Sequence, residues 1–152
     1  MTLLFRKATY ADLPRIVHLL ANDPLGKLRE SDKNPLPSSY YAAFDAIERD
    51  INNYLMVAVA DELVVAVLQI TFVYHLVYQG GRRALIEGVR VDEACRGQGI
   101  GRQLLEAAIN KSKEEGCNMV ELTTNKKRPA ALAFYQSIGF VASHEGMKME
   151  LK

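Results

Sequence analysis

The sequence predicts an α+β fold in which a mixed, mostly antiparallel sheet is flanked by helices and carries one β4-α3-β5 crossover. Three observations lead there. The chain has 152 residues, the length of one domain, 1–152, at roughly 150 residues per domain. Its composition is 49% hydrophobic and 24% charged, that of a packed globular protein and not of a disordered one. Along the chain, apolar residues alternate between strand-like and helix-like spacing in the order βα(α)βββαβαββ.

Leu3 to Ala8 reads as the first strand. The following Thr9-Tyr10-Ala11-Asp12 precedes apolar residues at Leu13, Ile16, Val17 and Leu20, the helical spacing, with Thr9 or Asp12 as cap because Pro14 belongs in a first turn. From Asp23 to Ser39, Pro24, Gly26, Pro35 and Pro37 stand among mixed charges, loop chemistry of the kind that often lines a binding site. A second helix then places Tyr40, Phe44, Ile47 and Ile51 on one face. Tyr54 to Ala60 and Leu63 to His75 are rich in Val, Leu and Ile and are joined by Asp61-Glu62, a hairpin. A second turn at Gln79 to Arg82 leads into Ala84 to Asp92, which gives β4. Ile100, Leu104, Leu105, Ala108 and Ile109 define α3, ending near Gly116, and Met119 to Thr123 is β5. Pro129 to Ile138 is α4, with proline at the start and Gly139 after the end. Phe140 to Ser143 and Met147 to Leu151 are expected to make a final hairpin about His144-Glu145-Gly146.

Composition also excludes classes of function. Lys and Arg number 19 against 18 Asp and Glu, a net charge of +1, so no nucleic-acid partner is expected. The apolar run within Met1 to Lys7 is three residues, Leu3 to Phe5, where an export signal needs about 7 to 15. Apolar stretches such as Leu63 to Leu68 fall far short of the roughly 20 residues of a membrane span. A cytoplasmic protein with no membrane partner is therefore expected. Cys95 and Cys117 show no CxxC spacing, and with His18, His75 and His144 they form no zinc signature, so no metal is expected.

The informative segment follows β4: Gly97, Gly99 and Gly101 open a helix, with Arg96 and Arg102 at the rim. Free N–H groups at a helix start, with no side chains at alternate positions, make an anion site. A P-loop needs a Lys-Ser/Thr pair that is missing, and the third glycine of a dinucleotide fingerprint would fall at Arg102. What remains is Arg-x-x-Gly-x-Gly, here Arg96-Gly97-Gln98-Gly99-Ile100-Gly101, which resembles the acetyl-CoA pyrophosphate loop of the GNAT superfamily of N-acetyltransferases. The resemblance extends through Ile86 to Val91 before the loop and through Arg128 to Phe140, which is similar to that family's second signature.

The resemblance implies an acetyl-CoA-dependent N-acetyltransferase, with acetyl-CoA as cosubstrate. Its implied contacts are Val89 and Val91 on β4, the loop Arg96, Gly97, Gln98, Gly99, Ile100, Gly101 and Arg102, and Asn125 or Arg128 at the pantetheine arm. Arg128 stands where many members have asparagine, a variant similar to that of aminoalkylphosphonate acetyltransferases, and Asn125 is the alternative. The backbone N–H of Val91 is the implied oxyanion donor. A small-molecule amine acceptor, direct attack in a ternary complex and a homodimer are likewise what the resemblance implies. The rival reading is a CoA-binding sensor or transcriptional regulator with weak or no catalysis.

Two side chains are the catalytic candidates. Unbroken alternation puts Glu87 on one face of β4 with Leu85, Val89 and Val91, a carboxylate in an apolar row, and a carboxylate buried in such a row titrates closer to neutrality. The matching glutamate in the polyamine-acetylating branch is a proposed base. Pairing with Arg82, or a bulge at Gly88 that turns the side chain to the other face, are the alternatives. An alkylammonium lies about six units above a carboxylate, roughly 8 kcal/mol uphill for direct transfer, so proton removal through water is expected. Tyr135 is the candidate acid for the leaving thiolate. A phenol near 10 is about 1.5 units weaker than a thiol near 8.5, so full donation costs about 2 kcal/mol and a hydrogen bond to sulfur suffices; packing on α4 is the alternative.

Overall fold

Asp61 and Glu62 both take positive φ, 49° and 65°, the left-handed pair whose twist matches the strands of a tight hairpin. That turn joins β2 (Asn53–Ala60) to β3 (Leu63–Tyr74). A second turn, with Tyr78 and Gln79 at φ 55° and 58°, leads into β4 (Arg82–Val91). The computed structural model describes residues 2–152. Its single sheet has the order β1-β2-β3-β4-β5, with β1 at Leu4–Lys7 and β5 at Met119–Leu122. All neighbours are antiparallel except β4 and β5, which run parallel. This is the mixed sheet and single crossover that the hydrophobic spacing predicts.

Helices cover both faces. On one, α1 (Leu13–Ala21) and α2 (Ser38–Arg49) pack Ile16, Val17 and Phe44 against Leu55, Val57, Val64 and Val67. On the other, α3 (Ile100–Glu114) sets Leu104, Leu105 and Ala108 on Leu68, Ile70 and Ile86, and α4 (Pro129–Ile138) adds Phe134, Tyr135 and Ile138. Leu104 and Leu105 have no exposed surface, so truncating either to alanine costs about 2 to 5 kcal/mol. The two cap candidates divide the work. Thr9 precedes a short 3-10 turn, Tyr10–Asp12, in which Asp12 accepts from the Thr9 backbone at 2.7 Å and from its hydroxyl at 3.1 Å. Asp12 is the N-cap residue of α1, which starts one residue later with Pro14 in its first turn and no side-chain cap bond.

Two expectations are corrected. Ile51 lies beyond the end of α2 and is 89% exposed; Asp50, with extended ψ 112°, ends the helix before its fourth turn closes. The terminal hairpin does not form. Residues 140–152 carry no strand, and Val141, Met147, Met149 and Leu151 are 81–92% exposed. Alternation declares only a readiness to pair, and β5, the edge strand beside this segment, pairs over four residues with β4 alone.

Candidate functional site

The start of α3 is a backbone surface. Gly97 and Gly99 sit at φ 77° and 78°, where a side chain would strain the turn, and a Cβ on either would meet nothing within 4 Å. Gly99 is the N-cap residue and no side chain caps the helix, so the first N–H groups have no intrahelical acceptor and face outward. Gly101 serves a different end. A Cβ there would stand 3.3 Å from Cζ of Phe134 and 3.5 Å from Cγ2 of Val91, so this glycine lets α3 close onto α4 and β4. Ile100 is buried, leaving only its backbone for a ligand, while Arg96 and Gln98 are exposed. Arg102 donates to the Ser137 hydroxyl at 3.1 Å, which ties the rim of the loop to the end of α4.

On β4, Gly88 takes φ 65°. Glu87 pairs with Gln69 and Arg90 with Val67, so three steps on β4 oppose two on β3, and Gly88 is the bulge. The consequence is a change of face. Val89 and Val91 pack with the α3 cluster, whereas Glu87, as cross-strand partner of Gln69, looks to the α1 and α2 side, where Gln69 edges a cavity of about 160 Å³ lined by Leu13, Leu20, Tyr40 and Phe44. The expectation that Glu87 shares a buried apolar row with Val89 and Val91 is therefore corrected: Glu87 is exposed on the opposite face. It does not pair with Arg82 either, which bonds Glu115 and Asn52.

Beyond the bulge the sheet opens. Pairing of β4 with β5 ends at Ile86 and Leu122, and β4 runs on to Val91 without that neighbour. Asp92 donates its N–H to Val65 on β3 at 2.8 Å. Successive N–H groups alternate sides along an extended strand, so that of Val91 points away from β3, into the gap left by β5.

A charged cluster closes this gap from the α1 side. Asp23, buried at the start of the loop after α1, accepts two bonds from the Arg128 guanidinium, 2.5 and 2.6 Å, and one from the Gly26 N–H at 2.8 Å. Chiefly through Arg128, and against the opposing effect of burial, its carboxyl is held well below the usual carboxylate range. Arg90 lies 3.8 Å from the same carboxylate. Burial pushes its guanidinium below the ordinary value, with Asp23 pulling the other way. Tyr135 stands beside both arginines; burial raises its phenol and the two positive charges oppose that rise. Phe134 and Phe140 hold the ring, with centroids at 5.3 and 6.0 Å. The loop itself is tied down by Tyr40, which donates to Glu30 and accepts from the Ser31 N–H, both at 3.0 Å, and by His18 on Asp32 at 2.9 Å.

Of the predicted residues, Val91 turns its N–H into this gap and the start of α3 closes onto it through Gly101, while Glu87 is exposed on the other face and the Asn125 side-chain oxygen accepts the Lys127 N–H. Arg128 is committed to Asp23. Asp23 and Arg90 are the residues that the sequence pattern missed. Arg90 did leave a signal, a charge between two valines on a strand; Asp23 left none, since its partner lies 105 residues away.

The Acetyltransferase (GNAT) family profile matches residues 17–140. The aminoalkylphosphonate N-acetyltransferase of Salmonella typhimurium is 32% identical over 113 residues, 74% of this chain and 73% of that protein. Among solved structures, a transcriptional regulator from Bacillus halodurans C-125 is 53% identical with a TM-score of 0.97 over 99% of this chain and 100% of that one. A putative acetyltransferase from Agrobacterium tumefaciens is 28% identical with a TM-score of 0.86 over 97% and 99%. Two other curated proteins match over shorter segments. They are the N-alpha-acetyltransferase 30 of Saccharomyces cerevisiae, at 37% identity, and the glucosamine 6-phosphate N-acetyltransferase of Trypanosoma brucei brucei, at 36%. The matches cover 39% and 48% of this chain, and the chain spans 34% and 48% of their lengths.

Proposed function

Because this chain belongs to the GNAT family of acetyltransferases, we propose that it transfers the acetyl group of acetyl-CoA to a primary amine of a small molecule, by direct attack in a ternary complex. The observation that carries this reading is the uncapped start of α3 beside the gap into which the Val91 N–H points. The open space at Gly97 and Gly99 fits a diphosphate against bare backbone, with Arg96 and Arg102 supplying charge at the rim. Val89 and the backbone of Ile100 complete the cradle, and Asn125 is the side chain offered to the pantetheine arm, since Arg128 is held by Asp23.

In the reaction a nitrogen–carbon bond forms, the thioester carbon–sulfur bond breaks, and one proton passes from nitrogen to solvent while another reaches sulfur. The Val91 N–H donates to the carbonyl oxygen as charge gathers there. Glu87, being exposed, takes the nitrogen's proton through water, which fits the unfavourable direct transfer. Tyr135 donates to the departing sulfur; its phenol, raised by burial, stays protonated at neutral pH. The test is release of CoA from acetyl-CoA across a panel of amines together with calorimetry of acetyl-CoA binding. Binding with turnover supports transfer, and binding without turnover on any amine favours the regulator reading. That second reading has a specific basis in the regulator from Bacillus halodurans, yet a net charge of +1 supplies no extended surface for a phosphate backbone.

A homodimer belongs to the same proposal. The segment Met147 to Lys152 alternates apolar and charged residues, its apolar members are exposed, and β5 has one open edge. A segment with strand-like alternation and an unpaired edge in one chain complement each other across two copies.

A further inference from the structure

We propose that the acceptor is an amine that also carries an acidic group, a phosphonate, phosphate or carboxylate, and that Arg90 receives that group; this rests on the transfer reading above and names its substrate class. The argument is one of unbalanced charge. Two guanidinium groups, Arg90 and Arg128, reach a single carboxylate, Asp23, and Arg128 takes both of its oxygens at 2.5 and 2.6 Å. Arg90 is left 3.8 Å away, with a side chain only 13% exposed. One of its terminal nitrogens donates to the Val89 carbonyl at 2.8 Å, and its Nε is buried with no acceptor among the described residues. A buried cation without its own counter-ion is costly to maintain, and a donor left over in such a place is where an acidic group of a ligand gains most.

Position assigns the ligand to the acceptor and not to acetyl-CoA. Arg90 pairs with Val67, so its side chain is on the α1 and α2 face, where Glu87 also looks, while Gly101 and the rest of the glycine-rich start of α3 lie against the other face with Val91. The Arg90 head group lies 3.8 Å from the Asp23 carboxylate at the start of the loop after α1, and the charges of Arg128 and Arg29 are felt there as well. The same surplus of positive charge opposes protonation of an amine brought close, which favours the neutral nucleophile, and it disfavours an acceptor that is cationic throughout, such as a polyamine.

The test compares three probes of one chain length on the wild-type protein: an ω-aminoalkylphosphonate, the matching ω-amino carboxylate and the n-alkylamine. Expected is a kcat/KM higher by about 10- to 100-fold for the two acidic amines, the span expected of one charge-assisted contact. An alkylphosphonate without the amine should inhibit competitively against the amine and not against acetyl-CoA. Arg90→Gln should remove the preference and the inhibition while calorimetry finds acetyl-CoA affinity within about 2-fold of wild type. Arg90→Lys, which keeps the charge, should retain part of both. Equal or better turnover of the plain alkylamine overturns the proposal and leaves the transfer reading standing. So does a phosphonate that competes with acetyl-CoA instead. If no amine is turned over, calorimetric binding of the alkylphosphonate to the wild type, lost in Arg90→Gln, still decides for this site, and no binding decides against it.

Discussion

Replacing Asp23 with asparagine should destabilise the protein by about 3 kcal/mol. The carboxylate accepts two bonds from Arg128 and one each from the N–H groups of Gly26 and Leu25, and among the described residues it is the acid in ion-pair range of Arg90. Asparagine keeps the backbone bonds and removes the charge. Breaking a buried ion pair from one side costs about 3 to 5 kcal/mol because the partner's charge stays behind, and the lower end applies because the Arg128 side chain is 24% exposed and can recruit water. At roughly 2 to 4 °C per kcal/mol for a chain of this size, Tm should fall by roughly 6 to 12 °C. The pH dependence has a definite sign. The folded carboxyl is lowered, chiefly by the Arg128 bond, so its contribution is present above the unfolded value near 3.9 and is lost as pH falls through that value towards the folded one. Urea titrations at pH 6 should separate wild type from Asp23→Asn by the full amount, and at pH 3.5 the difference should have begun to shrink. In an Arg128→Met background the same substitution should cost at least about 1 kcal/mol less. A loss under 1 kcal/mol at pH 6, or a loss unchanged by Arg128→Met, refutes the claim that this pair holds the loop to α4.

Tyr135→Phe should lower kcat by about 10- to 100-fold with acetyl-CoA affinity unchanged in calorimetry, and an unaltered kcat would remove Tyr135 from the acid role. Because burial raises the phenol above its ordinary value, the wild-type kcat profile should show no loss from this group up to about pH 10; a limb near neutrality that vanishes in the phenylalanine variant would contradict that. Gly101→Ala should cost about 1 to 2 kcal/mol by thermal unfolding, since Phe134 stands 3.3 Å from the new carbon, whereas Gly99→Ala, in open space at φ 78°, should cost about the same through backbone strain alone. Met149→Asp should shift the protein to monomer in light scattering, and a dimer that survives both this change and removal of residues 147–152 would exclude the terminal segment as its seam.

What the sequence made legible is local. Asp61-Glu62 is too short to do anything but turn β2 back on β3, the glycines at 97 and 99 allow a backbone that other residues avoid, and Pro129 and Gly139 bracket α4. The cluster at Asp23 was illegible for the opposite reason. Its members come from a loop, a strand and the cap of a helix, and each looks like surface charge until folding brings them within bonding distance over a separation of 105 residues. The terminal segment was misread because a strand pattern names no partner, and none of the described residues pairs with it.

Glu87 shows where counting fails inside an element that was correctly located. Alternation assigns faces only while each residue on one strand faces one on the next, and a single inserted residue inverts every assignment after it. Gly88, at φ 65°, is that insertion. With a regular ladder Val89 and Val91 would join Glu87 on the α1 and α2 face, and Arg90 would turn to the α3 cluster with Ile86. With the bulge, Glu87 and Arg90 share the face towards α1 and α2, while the backbone between them bends at the level where β5 departs. The acid and the base of this face therefore owe their shared side to a residue without a side chain, and the Val91 N–H owes its aim into the gap to the register that resumes after it.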